Sequence, residues 1–303
     1  MRIYTHRHCR NHDPGPGHAE RPERLDAVLA ALRTRAGAEW HDAPEASRAQ
    51  LARVHDAAYV DRILDAHVAD SLRLDEDTVM SPGSAQAALR AAGAGVAAVD
   101  WVLQAPARRA FCAVRPPGHH ALAGTAMGFC LFNSIAVAAA HALHAHGLER
   151  VAVADFDVHH GNGTQDLFAA EPRVLFASSH QSPLYPGTGG VADNRAGHIL
   201  NAPLAPGSGG AELLAAWREV LLPALDAFAP QLLLVSAGFD AHRLDPLAQL
   251  QLEAGDYAEL TRDLLAIADR HGEGRMVSML EGGYSLEGLA ESARAHVDAL
   301  AGD

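Results

Sequence analysis

Short apolar runs alternate with stretches of helical periodicity along most of this chain, and no other feature constrains its fold as much. The runs Ala110–Val114, Val151–Asp155, Val174–Ser178, Leu232–Ser236 and Arg275–Leu280 read as strands. Asn133–His146, Ala211–Phe228, Asp256–His271 and Leu286–Leu300 read as helices between and after them. Upstream, Pro22 opens a helix whose apolar face is Leu25, Val28, Leu29 and Leu32, and Ser84–Leu103 is an alanine-rich helix with Ser84 at the N-cap. Strands separated by helices require right-handed crossovers. The expected class is therefore α/β, three layers in an α/β/α sandwich around a mostly parallel sheet. The Gly- and Pro-rich punctuation, as in Pro14-Gly15-Pro16-Gly17 and Gly207-Ser208-Gly209-Gly210, is local, so residues 1–303 are expected to form a single domain. Ligands of such sheets sit beyond the carboxyl ends of the strands. Chemistry is expected immediately after each apolar run.

Composition narrows the partners. Against 37 acidic residues stand 24 basic ones, all arginine, for a net charge of −13, which argues against a nucleic-acid partner. No apolar run approaches the roughly 18 residues of a membrane span. The N-terminus MRIYTHRHCRNHD has no apolar core of a secretory signal. Cys9, Cys112 and Cys130 are odd in number and lack CxxC spacing, which reads as reduced thiols in a cytoplasmic protein. Nineteen histidines raise the expectation of metal chemistry without locating it.

Four strand ends carry groups competent for chemistry. Asp155-Phe156-Asp157-Val158-His159 follows one run; if the backbone stays extended, Asp155, Asp157 and His159 share a face. Asp240 follows another, in Ser236-Ala237-Gly238-Phe239-Asp240. Arg115-Pro116-Pro117-Gly118-His119-His120 sets two imidazoles on a stiff turn, suited to acid–base work. Glu281-Gly282-Gly283-Tyr284 presents a phenol. Taken singly, each has an ordinary reading: a capping aspartate, a surface histidine, a tyrosine at the core rim. Together they point to a site. Asp157, His159 and Asp240 offer one nitrogen and two oxygens, the three-ligand set of a catalytic zinc with an open position. Ferrous iron or cobalt suits the same donors. Two carboxylates would neutralise the dication, so a separate base is expected. The His119/His120 pair supplies it, with Asp155 placed to orient one ring.

These strings resemble the histone deacetylase superfamily with its arginase/deacetylase fold, and within it the class II-like bacterial zinc-dependent deacetylases. The matching text is RPPGHHA at 115–121, GFCLFNSIAVAA at 128–139, DFDVHHGNGTQ at 155–165, SAGFDAHRLDPL at 236–247 and EGGY at 281–284, with RPERL at 21–25 and SPLYPGTG at 182–189. The resemblance implies a zinc-dependent amidohydrolase acting on acetylated amines. By it, Asp157, His159 and Asp240 match the metal ligands and His120 the general base and acid. His119 matches an electrostatic partner oriented by Asp155, and Tyr284 the donor to the amide oxygen. Gly128, Phe129 and Tyr185 match the substrate channel. Asp155, Asp157, His159 and Ser178 match a structural potassium site. Asn162 stands behind the second histidine where some subfamilies carry aspartate, and Tyr185 replaces a more common Phe.

The substrate is expected to be an acetylated lysine in a peptide or protein, with an acetylated polyamine as the alternative. Class II relatives that favour polyamines carry a glutamate after the Asp-Pro that follows the metal aspartate; here Leu247 follows Asp245-Pro246. Asp75, Glu76 and Asp77 form an acidic stretch that reads as a solvated loop. A non-catalytic metal-binding protein would be expected to lack a ligand or the tyrosine, and a binuclear arginase-like centre needs a second carboxylate set. Neither is seen.

Overall fold

The computed structural model describes residues 1–35, 37–195 and 197–302. Its strands are β1 (Arg2–Thr5), β2 (Glu39–Asp42), β3 (Leu72–Arg73), β4 (Val79–Met80), β5 (Arg109–Cys112), β6 (Val151–Asp155), β7 (Val174–Gln181), β8 (Ile199–Leu204), β9 (Leu232–Ala237) and β10 (Met276–Leu280). Its α-helices are α1 (Glu23–Arg33), α2 (Arg48–Leu51), α3 (Ala57–Leu64), α4 (Ser84–Val102), α5 (Ser134–His146) and α6 (Asn162–Phe168). They continue with α7 (Gly210–Ala216), α8 (Leu222–Phe228), α9 (Ala254–His271) and α10 (Leu286–Ala301).

Eight strands form one sheet in the order β2-β1-β5-β10-β9-β6-β7-β8, and every neighbouring pair is parallel. The α/β expectation holds. Strands β6, β9 and β10 are buried throughout, as a sheet covered on both faces requires. Helix α10 packs on both α1 and α9, and α4 packs on α5. A smaller apolar cluster joins α3, α4 and α5 through Tyr59, Ile63, Ala92 and Val137, with Leu131 and Phe132 from the loop before α5.

The strand order places the site. The four strands that precede the reactive motifs, β5, β10, β9 and β6, are consecutive neighbours at the centre of the sheet. Because all are parallel, their carboxyl ends share one edge. The short β3–β4 hairpin is antiparallel and separate.

Two local expectations change. Ser84 is the first residue of α4, with Gly83 at the cap, and its buried Oγ accepts from Ser81 N–H and lies 2.7 Å from His12 Nδ1. The stretch expected as one helix over Ala211–Phe228 carries a π turn at Trp217–Leu221. Pro223 lies two residues beyond, and its missing N–H interrupts the regular ladder there. Among the described residues no helix is long and apolar enough to cross a membrane. Cys9, Cys112 and Cys130 are buried free thiols.

Candidate active site

Strand β6 ends at Asp155, so the extended continuation anticipated for Asp157 and His159 is a loop instead. Its turns are held by carboxylates: Asp155 Oδ1 accepts from Asp157 N–H at 3.1 Å, and Asp157 Oδ1 from His159 N–H at 2.9 Å. These local bonds gather the side chains that alternation alone would have aligned. Asp240, after β9, accepts from Val158 N–H through Oδ1 at 2.9 Å. His159 Nδ1 then lies 3.1 Å from Asp157 Oδ1 and 3.2 Å from Asp240 Oδ2.

Donor atoms of Asp157, His159 and Asp240 all lie within 4.8 Å of one another, and all three residues are buried. The backbone is cut away to admit them. A Cβ on Gly238 would stand 2.0 Å from Asp157 Oδ2, and one on Gly282 1.9 Å from Asp240 Oδ2. Burial alone would lower the His159 imidazolium, yet Asp157 and Asp240 outweigh it and push it up to about 10. Two buried carboxylates flanking one imidazole make a pocket for positive charge. One nitrogen and two oxygens fit a divalent ion of the zinc type.

The two histidines after β5 differ in character. His119 Nδ1 is 3.0 Å from Asp155 Oδ2. Burial opposes its charge, but Asp155 and Asp157 prevail and push it up to about 10. His120 Nδ1 is 2.7 Å from Asn162 Oδ1, while Asn162 Nδ2 donates to Met127 Sδ at 3.4 Å. That pairing makes the amide oxygen an acceptor from Nδ1–H and leaves the His120 Nε2 lone pair free. Burial, then the neighbouring His119 and His159, hold His120 well below the usual imidazole range, so it is neutral.

His120, His159 and Tyr284 line a channel of about 220 Å³ together with Asp77, Gly128, Phe129, Leu184, Tyr185 and Leu247. Gly128 and Phe129 both adopt left-handed backbone, with φ of 55° and 68°. A Cβ on Gly128 would meet the His120 ring at 2.4 Å. Phe129 N–H is fixed to Thr78 Oγ1 at 3.1 Å. The Tyr185 ring stands edge-on to His120 at 5.2 Å, and Phe129 edge-on to Tyr284 at 5.7 Å. Burial raises the Tyr284 phenol well above its ordinary range, so it keeps its proton. Ser178 lies away from the channel: it is the register partner of Asp155 across β6 and β7, and its Oγ is 2.9 Å from His180 Nδ1.

Several contributors carry no individual signal in the sequence. Buried Arg24 donates to Gly283 O at 2.5 Å, Glu281 O at 2.6 Å and Glu20 Oε1 at 2.9 Å. Its guanidinium lies 4.8 Å over the Tyr284 ring. Glu20 also binds Arg115 through both oxygens. Glu281 Oε2 accepts from Gly118 and His119 N–H, tying the histidine turn to β10. Asp245 Oδ2 accepts from Tyr284 N–H at 2.7 Å. Arg24 falls within RPERL, a string with no chemistry of its own to read. Asp77, expected on a solvated loop, instead lines the channel, because Asp75 Oδ1 turns the hairpin by accepting from Asp77 and Thr78 N–H.

The histone deacetylase domain model matches residues 18–300. The chain belongs to the histone deacetylase family. The histone deacetylase-like amidohydrolase of Pseudomonas aeruginosa is 42% identical over 294 residues, which cover 94% of this chain and 77% of that protein. A probable deacetylase of Archaeoglobus fulgidus is 39% identical over 296 residues, covering 94% of this chain and 82% of the relative. The polyamine deacetylase HDAC10 of Homo sapiens is 41% identical over 304 residues, covering 94% of this chain but 45% of the human protein. The HDA15 HD domain crystal structure superposes with a TM-score of 0.94 at 34% identity, covering 99% of this chain and 88% of that one. A histone deacetylase fold and membership among deacetylases and amidohydrolases, hydrolases of the amide bond, follow from these matches.

Proposed function

We propose that this protein is a zinc-dependent deacetylase that hydrolyses the amide of acetylated lysine side chains. One observation carries the reading: His120, His159 and Tyr284 face the same channel, and Asp157 and Asp240 close around His159. Asp157, His159 and Asp240 would hold the ion. When bound, zinc supplies Lewis-acid polarisation of the carbonyl and a lowered pKa for a water. The His120 Nε2 lone pair takes the proton of the attacking water and, once protonated, returns it to the leaving amine. His119, charged beside Asp155, steadies the negative charge that develops. Tyr284 O–H donates to the amide oxygen, and that bond strengthens as the oxyanion forms. Phe129 and Tyr185, with Gly128, bracket the alkyl chain. Asp155 and Ser178, with Asp157 and His159, are the residues for a structural potassium ion.

Leu247 in the channel wall supports lysine, because it presents no charge to a polyamine. Asp77 supports the second reading, an acetylated polyamine, because a carboxylate in the lining can pair with a distal amine. A relative named polyamine deacetylase is consistent with that alternative. The test compares kcat/KM of the zinc-loaded protein on an acetyl-lysine peptide and on an acetylated spermidine. Tyr284→Phe and His120→Ala are the controls. A higher value on the peptide is expected, with each variant losing on the order of 100- to 1,000-fold in kcat. A higher value on acetylspermidine transfers the assignment to polyamines. Near-full activity in either variant overturns the roles given to these residues.

A further inference from the structure

The histidines beyond the channel include His141-Ala142-Leu143-His144-Ala145-His146, which closes α5. His141 and His146 reach across to Asp100, one and a half turns apart on the same helix. Each Nε2 lies 2.7 Å from the same oxygen, Asp100 Oδ1, and the two rings stand edge to face at 5.3 Å. Donor atoms of the three residues fall within 4.8 Å of one another. Asp100 belongs to α4, and its side chain is 49% exposed, His146's 30% and His141's 7%.

We propose that Asp100, His141 and His146 form a second, peripheral site for a divalent ion of the zinc, nickel or copper type, linking α4 to the end of α5. Two imidazoles and one carboxylate suit these borderline ions and not calcium or magnesium. Two N–H donors now converge on one oxygen. One dication in their place meets two nitrogen lone pairs and a carboxylate. Bonds of about 2.0–2.2 Å at tetrahedral angles separate ligand atoms by about 3.3 Å. The group must open by roughly 0.6 Å, which half-exposed Asp100 and His146 allow. Ligation moves each ring proton from Nε2 to Nδ1, so neither ring loses charge balance. Arg53, whose guanidinium now lies 2.7 Å from His141 Nδ1, turns aside as that proton arrives. The carbonyl end of α5 also favours a cation. A comparable group, His242 with Glu253 and Glu291, has a single nitrogen, and Arg243 already engages Glu253.

The experiment takes protein holding one equivalent of zinc, adds further zinc, and measures bound metal by equilibrium dialysis and elemental analysis. The wild type is expected to bind a second equivalent. At zinc about a hundredfold above Kd its Tm should rise by about 5 °C. His146→Gln and Asp100→Asn, both at exposed positions, should each melt near the wild type without added zinc. Both should lose the second equivalent and the rise in Tm. A single equivalent in the wild type overturns the proposal. So does a second equivalent that survives in both variants, or one lost only in Glu291→Gln.

Discussion

One nitrogen of His120 is committed to Asn162 and the other faces the channel, so its tautomer is set by an amide whose own orientation is fixed by Met127. Tyr284 is positioned just as indirectly. Arg24 holds two carbonyls of the loop before it and covers one face of its ring. Replacing Arg24 by Met keeps the bulk and removes the charge. Glu20 would retain Arg115 but lose one of its two guanidinium partners. Breaking one side of a buried ion network costs about 3–5 kcal/mol. We expect Arg24→Met to lower the unfolding free energy obtained from urea titration by that much and kcat about tenfold at nearly constant KM. Unchanged kcat would show that Asp245 alone positions Tyr284. Asp77→Asn tests the channel mouth. If its carboxylate pairs with a substrate N–H or amine, kcat/KM should fall by about 10- to 100-fold, the worth of one charged hydrogen bond. Thermal stability should be kept, because Asp77 sits on the two-stranded hairpin outside the main sheet.

At the level of elements, the site exists because four parallel strands end together and their loops crowd two carboxylates against an imidazole. The crowding is tight enough to predict from. Gly282→Ala would drive a methyl into Asp240 Oδ2 and Asp157 Oδ2, at 1.9 and 2.6 Å. We expect this variant to purify with its catalytic metal content reduced to a small fraction of one equivalent, measured by elemental analysis, while retaining helical circular dichroism. A full equivalent would mean that the loop can retreat. The central strands were legible in the sequence because burial on both faces writes continuous apolar runs, as in Leu232–Val235. The edges were not. β2, Glu-Trp-His-Asp, has no apolar pattern because it lies at the open end of the sheet and is largely exposed. β8 contains Pro203, which an edge strand tolerates and which disguises a strand in sequence. The reactive residues were readable because their types are chemically distinctive. Their supports were not, since Glu20 and Arg24 come from a segment remote in sequence from Tyr284 and look like ordinary surface charge.

For the whole molecule, burial of so many histidines makes stability a function of pH. His296 lies beneath the sheet, its nitrogens 2.7 Å from Thr261 Oγ1 and Ser278 Oγ, and burial holds it down to about 3. His55 is held down to about 4 by burial, against weaker help from the Leu122 and Ala123 carbonyls. Both rings are neutral when folded and would take a proton near pH 6.5 when unfolded. Their contribution to stability is therefore complete above about pH 6.5. It falls as pH drops from there toward 4 for His55 and 3 for His296, because over that range the unfolded chain binds more protons. At pH 5 each ring should have cost about 2 kcal/mol relative to pH 7.5. His119 titrates the other way, since its folded value is raised, so its contribution is present below about pH 6.5 and lost toward 10. The comparison must thus isolate one ring. His296→Gln keeps a polar group between Thr261 and Ser278 and removes the titration. Urea unfolding at both pH values should show the difference between pH 7.5 and pH 5 shrinking by about 2 kcal/mol in this variant, whatever its absolute stability. An undiminished difference would mean that His296 is already protonated in the folded protein, with the surrounding hydroxyls accepting both of its protons.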